Sequence, residues 1–234
     1  MIDRTSAVSL LAIAGLTALL GGCNFQSTGE TRTETVSFDL GDAKLVRATI
    51  RMGGGEMHIR SGTAKLMEGK FDYNVPEWKP AIDYKAATGE ISLSQPTYSA
   101  SFGNAVNRWD VTLNSDVPME LLLNLGAGEA NLELGRMNLS RVEMNIGAGE
   151  VKMDLRGEPK RDYTVHIRGG VGETVVFLPK DVGISATATK GIGDISVEGL
   201  EQRDGVWVNP DRIGAPVTVR LDVKGGVGQI NLKR

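Results

Sequence analysis

Cysteine is nearly absent from this chain: Cys23 is the only one in 234 residues. A lone cysteine excludes an internal disulfide, so a domain outside the cytoplasm must be held by its core alone. Zinc sites built from clustered cysteine and histidine are excluded too, since only His58 and His166 could contribute. Charge of one sign is also lacking. Against 26 basic residues stand 29 acidic ones, so no concentrated basic face speaks for nucleic acid. Aromatics are scarce at 5%. What the chain has in abundance is glycine, 30 in all and without a collagen period, which implies many tight turns or close backbone approaches.

The first 22 residues stand apart from the fold. Arg4 precedes an apolar run over residues 7–20, too short to span a bilayer comfortably, where a helix needs about 20 apolar residues. The run ends in Leu20-Gly21-Gly22-Cys23, which resembles the lipobox of bacterial lipoproteins. That resemblance implies a signal peptide over 1–22, recognition by the peptidase at Leu20, Gly21 and Gly22, and acylation of Cys23. Several acyl chains on one residue anchor stably where a single chain does not. The expected partner is therefore a membrane, on its extracytoplasmic side. Asn24 in place of an aspartate favours the outer membrane if the cell has two. Residues 23–35 are polar and read as a tether.

From residue 36 the pattern has period two. Val46, Ala48, Ile50 and Met52 alternate with polar residues, as do Met57 and Ile59. Ile82 and Tyr84, then Ile91 and Leu93, flank Thr88-Gly89 as a hairpin would. Trp109, Val111 and Leu113 make a further strand before Asn114 to Pro118. No run of 12 residues between 36 and 118 has helical spacing, so this N-terminal region is β.

The second region, 119–234, repeats a motif. Gly126-Ala127-Gly128-Glu129 has variants beginning at Gly53, Gly147, Gly170, Gly191 and Gly226, each Gly, any residue, Gly, then an acid or Gln. With the first glycine as position 0, apolar residues fall at −5, −3 and −1 in the copies at Gly126 and Gly147, and the inward side resumes at +4, +6 and +8. The residue at +1 is small or apolar in every copy, which predicts an inward side chain. The odd step from +1 to +4 needs one residue absorbed by a bulge or bend. Glycine suits that position, so Gly53 and Gly55, Gly126 and Gly128, Gly147 and Gly149, Gly170 and Gly172, Gly191 and Gly193, and Gly226 and Gly228 are expected to form structural corners.

In the second region the motifs recur every 21 to 23 residues, apart from one longer interval of 35. A nearly constant period of that size marks stacked coils, each with two short strands joined at the corner. The longer interval predicts a small hairpin or flap inserted near 200–215, around Trp207. An antiparallel meander would bury the same side chains. The distinction is whether Leu132, Met153 and Val176 stack on adjacent coils. End coils expose strand edges, and residues 36–118 are the candidate cap for one of them.

The segments Leu178-Pro179-Lys180-Asp181-Val182 and Gly191-Ile192-Gly193-Asp194-Ile195 resemble the toast-rack family. They also resemble bacterial envelope domains provisionally described as adhesins, and the C-terminal domain of cell-wall-stress regulators. The resemblance covers about 36–234 and implies an all-β, right-handed, β-helix-like stack. It brings no catalytic residues.

The acids after the corners could align on stacked coils about 4.8 Å apart as a ladder of Glu129, Glu150, Glu173 and Asp194. Glu56 and Gln229 hold the same position. Such a ladder could take calcium or a polycation, or be a solvated corner whose acids accept turn amides, with Arg168, Lys190 and Lys224 neutralising neighbours. The solvated corner is the favoured reading. His58 and His166 point outward by alternation, without a third group placed beside them. Some β-helix proteins cleave polysaccharides, but they need paired acids in a groove, and here the acids recur once per coil. The expectation is a non-catalytic, lipid-anchored envelope protein, structural, adhesive or scaffolding, without cofactor or metal, touching envelope protein or glycan. A stress-sensing partner of an envelope regulatory system is the alternative. A polysaccharide-active enzyme is the distant one.

Overall fold

The computed structural model describes residues 28–96 and 104–234. Cys23 and the Leu20-Gly21-Gly22 segment lie outside the described residues. Thirteen strands follow in order: β1 (Arg32–Phe38), β2 (Val46–Thr63), β3 (Met67–Tyr73), β4 (Ala81–Lys85), β5 (Glu90–Ser94), β6 (Asn107–Asn114), β7 (Met119–Glu133), β8 (Leu139–Asp154), β9 (Tyr163–Phe177), β10 (Gly183–Glu198), β11 (Glu201–Arg203), β12 (Val206–Val208) and β13 (Thr218–Lys233). β1 begins inside the segment assigned to the tether. It pairs antiparallel with β3, and Thr33 is held by Asp72 at 2.5 Å.

Six of these strands carry the glycine motif, and all six pair in parallel. Parallel pairing rules out the meander, whose neighbours would run antiparallel. Each motif strand runs unbroken through its corner, so a coil is one bent strand rather than two short ones. The bend must be sharp. A straight strand of 15 residues spans about 50 Å, whereas the five residues from 134 to 138 that link β7 to β8 reach about 20 Å at most. The corner therefore folds the second arm of each strand back toward the first, and their inward side chains meet in one apolar cluster. The result is an all-β, β-helix-like stack.

The stack keeps its register column by column. Leu132 lies beside Met153, and Met153 beside Val176, as stacked coils require. The next neighbour is a surprise for a sequential stack: Val176 pairs with Leu232 of β13, and Leu232 then pairs with Val197 of β10. The last strand is thus inserted between β9 and β10. The long motif interval supplies the detour. Its β11–β12 hairpin returns along the outer edge of β10, Trp207 opposite Ala186, before the chain enters the gap as β13. Asn209 pins this hairpin, its amide donating to the Val182 carbonyl at 2.6 Å and its Oδ1 accepting from the Ile184 N–H.

Beyond β2 lies a coil broken in two. β5 runs parallel to the first arm of β2 and β6 parallel to the second. The two arms are separate strands, β5 ending at Ser94 and β6 beginning at Asn107, where the other coils have one bent strand. β4 pairs with β5 as the expected hairpin, and β3 and β1 continue the sheet outward from β6. β1, β3, β4, β5 and β6 thereby cover one end of the stack. At the other end, beyond Ala186, β10 has no strand on its outer side among the described residues.

Candidate functional site

The corner edge is the feature built most regularly. The second glycine of each motif has positive φ, +131° at Gly128 for instance, in a region closed to most side chains. A Cβ at Gly128 would also fall far inside van der Waals contact with the Gly55 carbonyl of the neighbouring strand. The first glycine drops out of the pairing ladder, as Met52 pairs with Leu125 and Gly54 with Ala127 while Gly53 and Gly126 are skipped. A residue is absorbed at the motif as expected, but at Gly126, ahead of +1 rather than between +1 and +4, and there its own Cβ would strike the Gly53 carbonyl. Stacking demands both glycines as much as bending does.

The position between the glycines faces outward, against expectation. Ile192 is 72% exposed, Val171 56% and Val227 45%. The bulge completes its phase shift between −1 and +4, so the inward set jumps from Leu125 directly to Ala130. In register, position +1 reads Gly54, Ala127, Ala148, Val171, Val227, Ile192, an exposed ridge whose side chains grow along the stack.

Two charged columns flank this ridge. On the +3 side Glu56, Glu129, Glu150 and Glu173 are neighbours in register, followed by Gln229 and then Asp194. The inserted β13 thus separates Asp194 from the glutamates, while Glu56 joins them at the other end. Arg108 grips Glu56 through two hydrogen bonds of 2.7 and 3.0 Å and holds its carboxyl below the usual range. Glu173 accepts from the Asn231 amide at 2.7 Å. Glu129 and Glu150 accept no hydrogen bond from a described residue. Among the described residues no three His, Cys, Asp or Glu side chains converge to hold a metal ion.

The cations expected to neutralise this ladder lie elsewhere. Lys190 donates to the Gly193 carbonyl, and Lys224 pairs with Asp222 at 3.6 Å. Arg168 belongs to a column at −2, on the opposite side of the corner from the acids: Arg51, Asn124, Asn145, Arg168, Lys224. Asn145 donates to Asn124 at 3.1 Å.

Both histidines face outward as expected, but each meets a carboxylate from another strand. His58 Nδ1 lies 3.2 Å from Asp110, and His166 Nδ1 3.7 Å from Asp222, with Glu143 on the other neighbouring strand. Nothing in the spacing of the sequence joins residues 52 or 56 positions apart. Sequence reasoning also missed Gln95 and Asn107, buried where the broken coil leaves the first corner open. Gln95 Oε1 accepts from the Gly53 N–H at 2.9 Å and from Asn107 Nδ2 at 3.0 Å. Asn107 Nδ2 also donates to the Gly54 carbonyl, and Trp109 Nε1 donates to Asn107 Oδ1. These two side chains replace the neighbour that a further strand would have supplied.

Fold and corner together define a β-helix-like stack of parallel, glycine-cornered strands. The chain belongs to the toast-rack family: the model of the toast-rack N-terminal domain, DUF2154, matches residues 27–177. The C-terminal domain of LiaF, the cell wall-active antibiotics response protein, matches 126–232. A crystal structure from Clostridium sporogenes, provisionally described as a cell adhesion protein, is 33% identical, with a TM-score of 0.81 over 87% of this chain and 99% of its own. One from Bacteroides fragilis, provisionally described as an adhesin, is 10% identical with a TM-score of 0.31, covering 87% of this chain and 97% of its own. No curated protein matches. The matched families are adhesin-like or stress-response domains rather than known enzymes.

Proposed function

We propose that this protein is a non-catalytic, lipid-anchored envelope scaffold that acts by adhesive contact. One observation carries the reading. Six in-register strands hold a ridge, an acidic column and a basic, amide-bearing column rigidly parallel across the sheet. Regular columns of that kind suit a repetitive or extended surface better than a reaction centre, which needs unlike groups convergent on one atom. The adhesive description of the relative from Clostridium sporogenes agrees with this. The lipobox-like Leu20-Gly21-Gly22-Cys23 supplies the anchor, with the outer membrane as the address if the cell has two. Crosslinking in intact cells followed by mass spectrometry tests the contact: reproducible capture of an envelope component is expected, and capture of none would overturn it. Radiolabelled palmitate should enter the wild type and be lost in Cys23→Ser, which should also leave the membrane fraction.

The LiaF-type match over 126–232 favours one second reading, participation in an envelope stress response. Deleting the gene should then change the induction of wall-stress reporters. An unchanged response sinks that reading and leaves the adhesive one intact.

A further inference from the structure

Along the basic side of the corner runs an open groove of about 670 Å³ across four strands. Its floor is glycine backbone, Gly53, Gly126, Gly147 and Gly170, next to the buried Met52, Leu125 and Ile146. Its wall is the −2 column, in which Arg51 and Arg168 stand at the ends and Asn124 and Asn145 lie between them. Three strand spacings separate the two guanidinium-bearing positions, about 14 Å. Both arginines are exposed, and neither side chain donates a hydrogen bond to a described residue. The groups around them are accounted for. Glu143, diagonal to Arg168, is engaged by Arg141, Asp222 by Thr187 and Lys224, and the acidic column lies beyond the ridge.

We infer that this groove binds an extended anionic polysaccharide, a refinement that rests on the adhesive reading above. A guanidinium that donates no hydrogen bond to a described residue offers a two-pronged donor to carboxylate or phosphate. The asparagine amides between offer both donors and acceptors, which suits sugar hydroxyls. The bare glycine floor lets a ring lie against the backbone without meeting a side chain. The acidic column on the far side of the ridge repels a polyanion and confines it to the groove. An acidic peptide fits less well, because peptides commonly bind sheets through free edge groups; β7, β8 and β9 are paired on both sides under this groove, and Gln95 and Asn107 occupy the open side of the β2 corner.

The test measures binding of full-length protein by titration calorimetry, with oligogalacturonate as the charged glycan. Neutral dextran, poly-glutamate and phosphatidylglycerol vesicles serve as contrasts. Oligogalacturonate should bind, more weakly as salt rises. Arg51→Gln and Arg168→Gln should each weaken it about tenfold. The pair Asn124→Asp with Asn145→Asp should abolish it. Arg47→Gln and Arg220→Gln, whose side chains are paired outside the groove, should leave it within twofold of wild type. Thermal melts on all variants separate lost binding from lost folding. Absence of oligogalacturonate binding, equal binding of poly-glutamate or of the vesicles, or indifference to Arg51 and Arg168 each overturns the inference. The two readings fail separately: crosslinking that captures an envelope component while oligogalacturonate stays unbound removes the groove and keeps the adhesive role.

Discussion

Gly128 and Glu129 sit side by side in the same motif and face opposite constraints. The glycine needs positive φ and has a neighbouring carbonyl where a side chain would go, whereas the glutamate extends into solvent. Gly128→Val should therefore cost about 3 kcal/mol or more in chemical denaturation, combining backbone strain and overlap. Glu129→Gln should stay within about 0.5 kcal/mol. A larger cost for the acid would mean that the column, not the corner, is the structural requirement. Gly169 is the opposite case. It replaces the buried Leu125 and Ile146 of its column, and a Cβ there would meet nothing closer than 3.8 Å. Gly169→Ala should raise stability by about 0.4–1 kcal/mol, mainly by restricting the unfolded chain. Asp72 carries a pH dependence of definite sign. The Thr33 hydroxyl, with help from Lys70, holds its carboxyl below the ordinary aspartate range. A lowered folded pKa contributes stability that is present above the unfolded value and lost as pH falls through the folded one. Stability should thus decline on the acid side, and Asp72→Asn should flatten that limb in melts recorded between pH 6 and about pH 3.

At the scale of elements, the broken coil formed by β5 and β6 shows what a corner needs when no further strand adjoins it. Gln95 and Asn107 take the place of the missing backbone. Asn107→Ala would strip partners from the Gly54 carbonyl and the Trp109 indole at once, and buried polar groups left unpaired cost about 1–3 kcal/mol each. A clear fall in melting temperature is expected, and a neutral result would mean water replaces the amide. None of this was legible in the sequence. Alternation marked β5 and β6 as strands, but two residues 12 apart give no local signal that they share a corner. The exposed ridge was misread for a related reason. Apolar character at +1 looks like an inward residue until the exact place where the bulge absorbs its residue is known.

For the whole molecule, the open end of the stack differs in composition from its interior. The inward column at β10 reads Ala186, Ala188 and Lys190, where β7 has Leu121, Leu123 and Leu125. Lys190 donates to the Gly193 carbonyl, the group on which a further coil would dock. A lysine guarding an exposed edge is a common means of preventing edge-to-edge association. Lys190→Gly, which restores the residue found at Gly169 and Gly225 in that column, should give concentration-dependent oligomers in size-exclusion light scattering. A variant that stays monomeric to high concentration would show that the shape of the end coil suffices.

Alternation, glycine spacing and the near-constant motif interval determined the class of fold, the corners, the inward residues on both arms and the hairpin near Trp207. These are local properties, fixed by φ preference and by the two-residue period of a strand. Only the tertiary structure decided that β13 enters between β9 and β10, because parallel coils of equal length and like sequence compete for the same position. That insertion set the order of the acidic column and placed Arg168 between Asn145 and Lys224. Which columns became charged neighbours was likewise settled by register across strands, and register depends on how all the coils pack together.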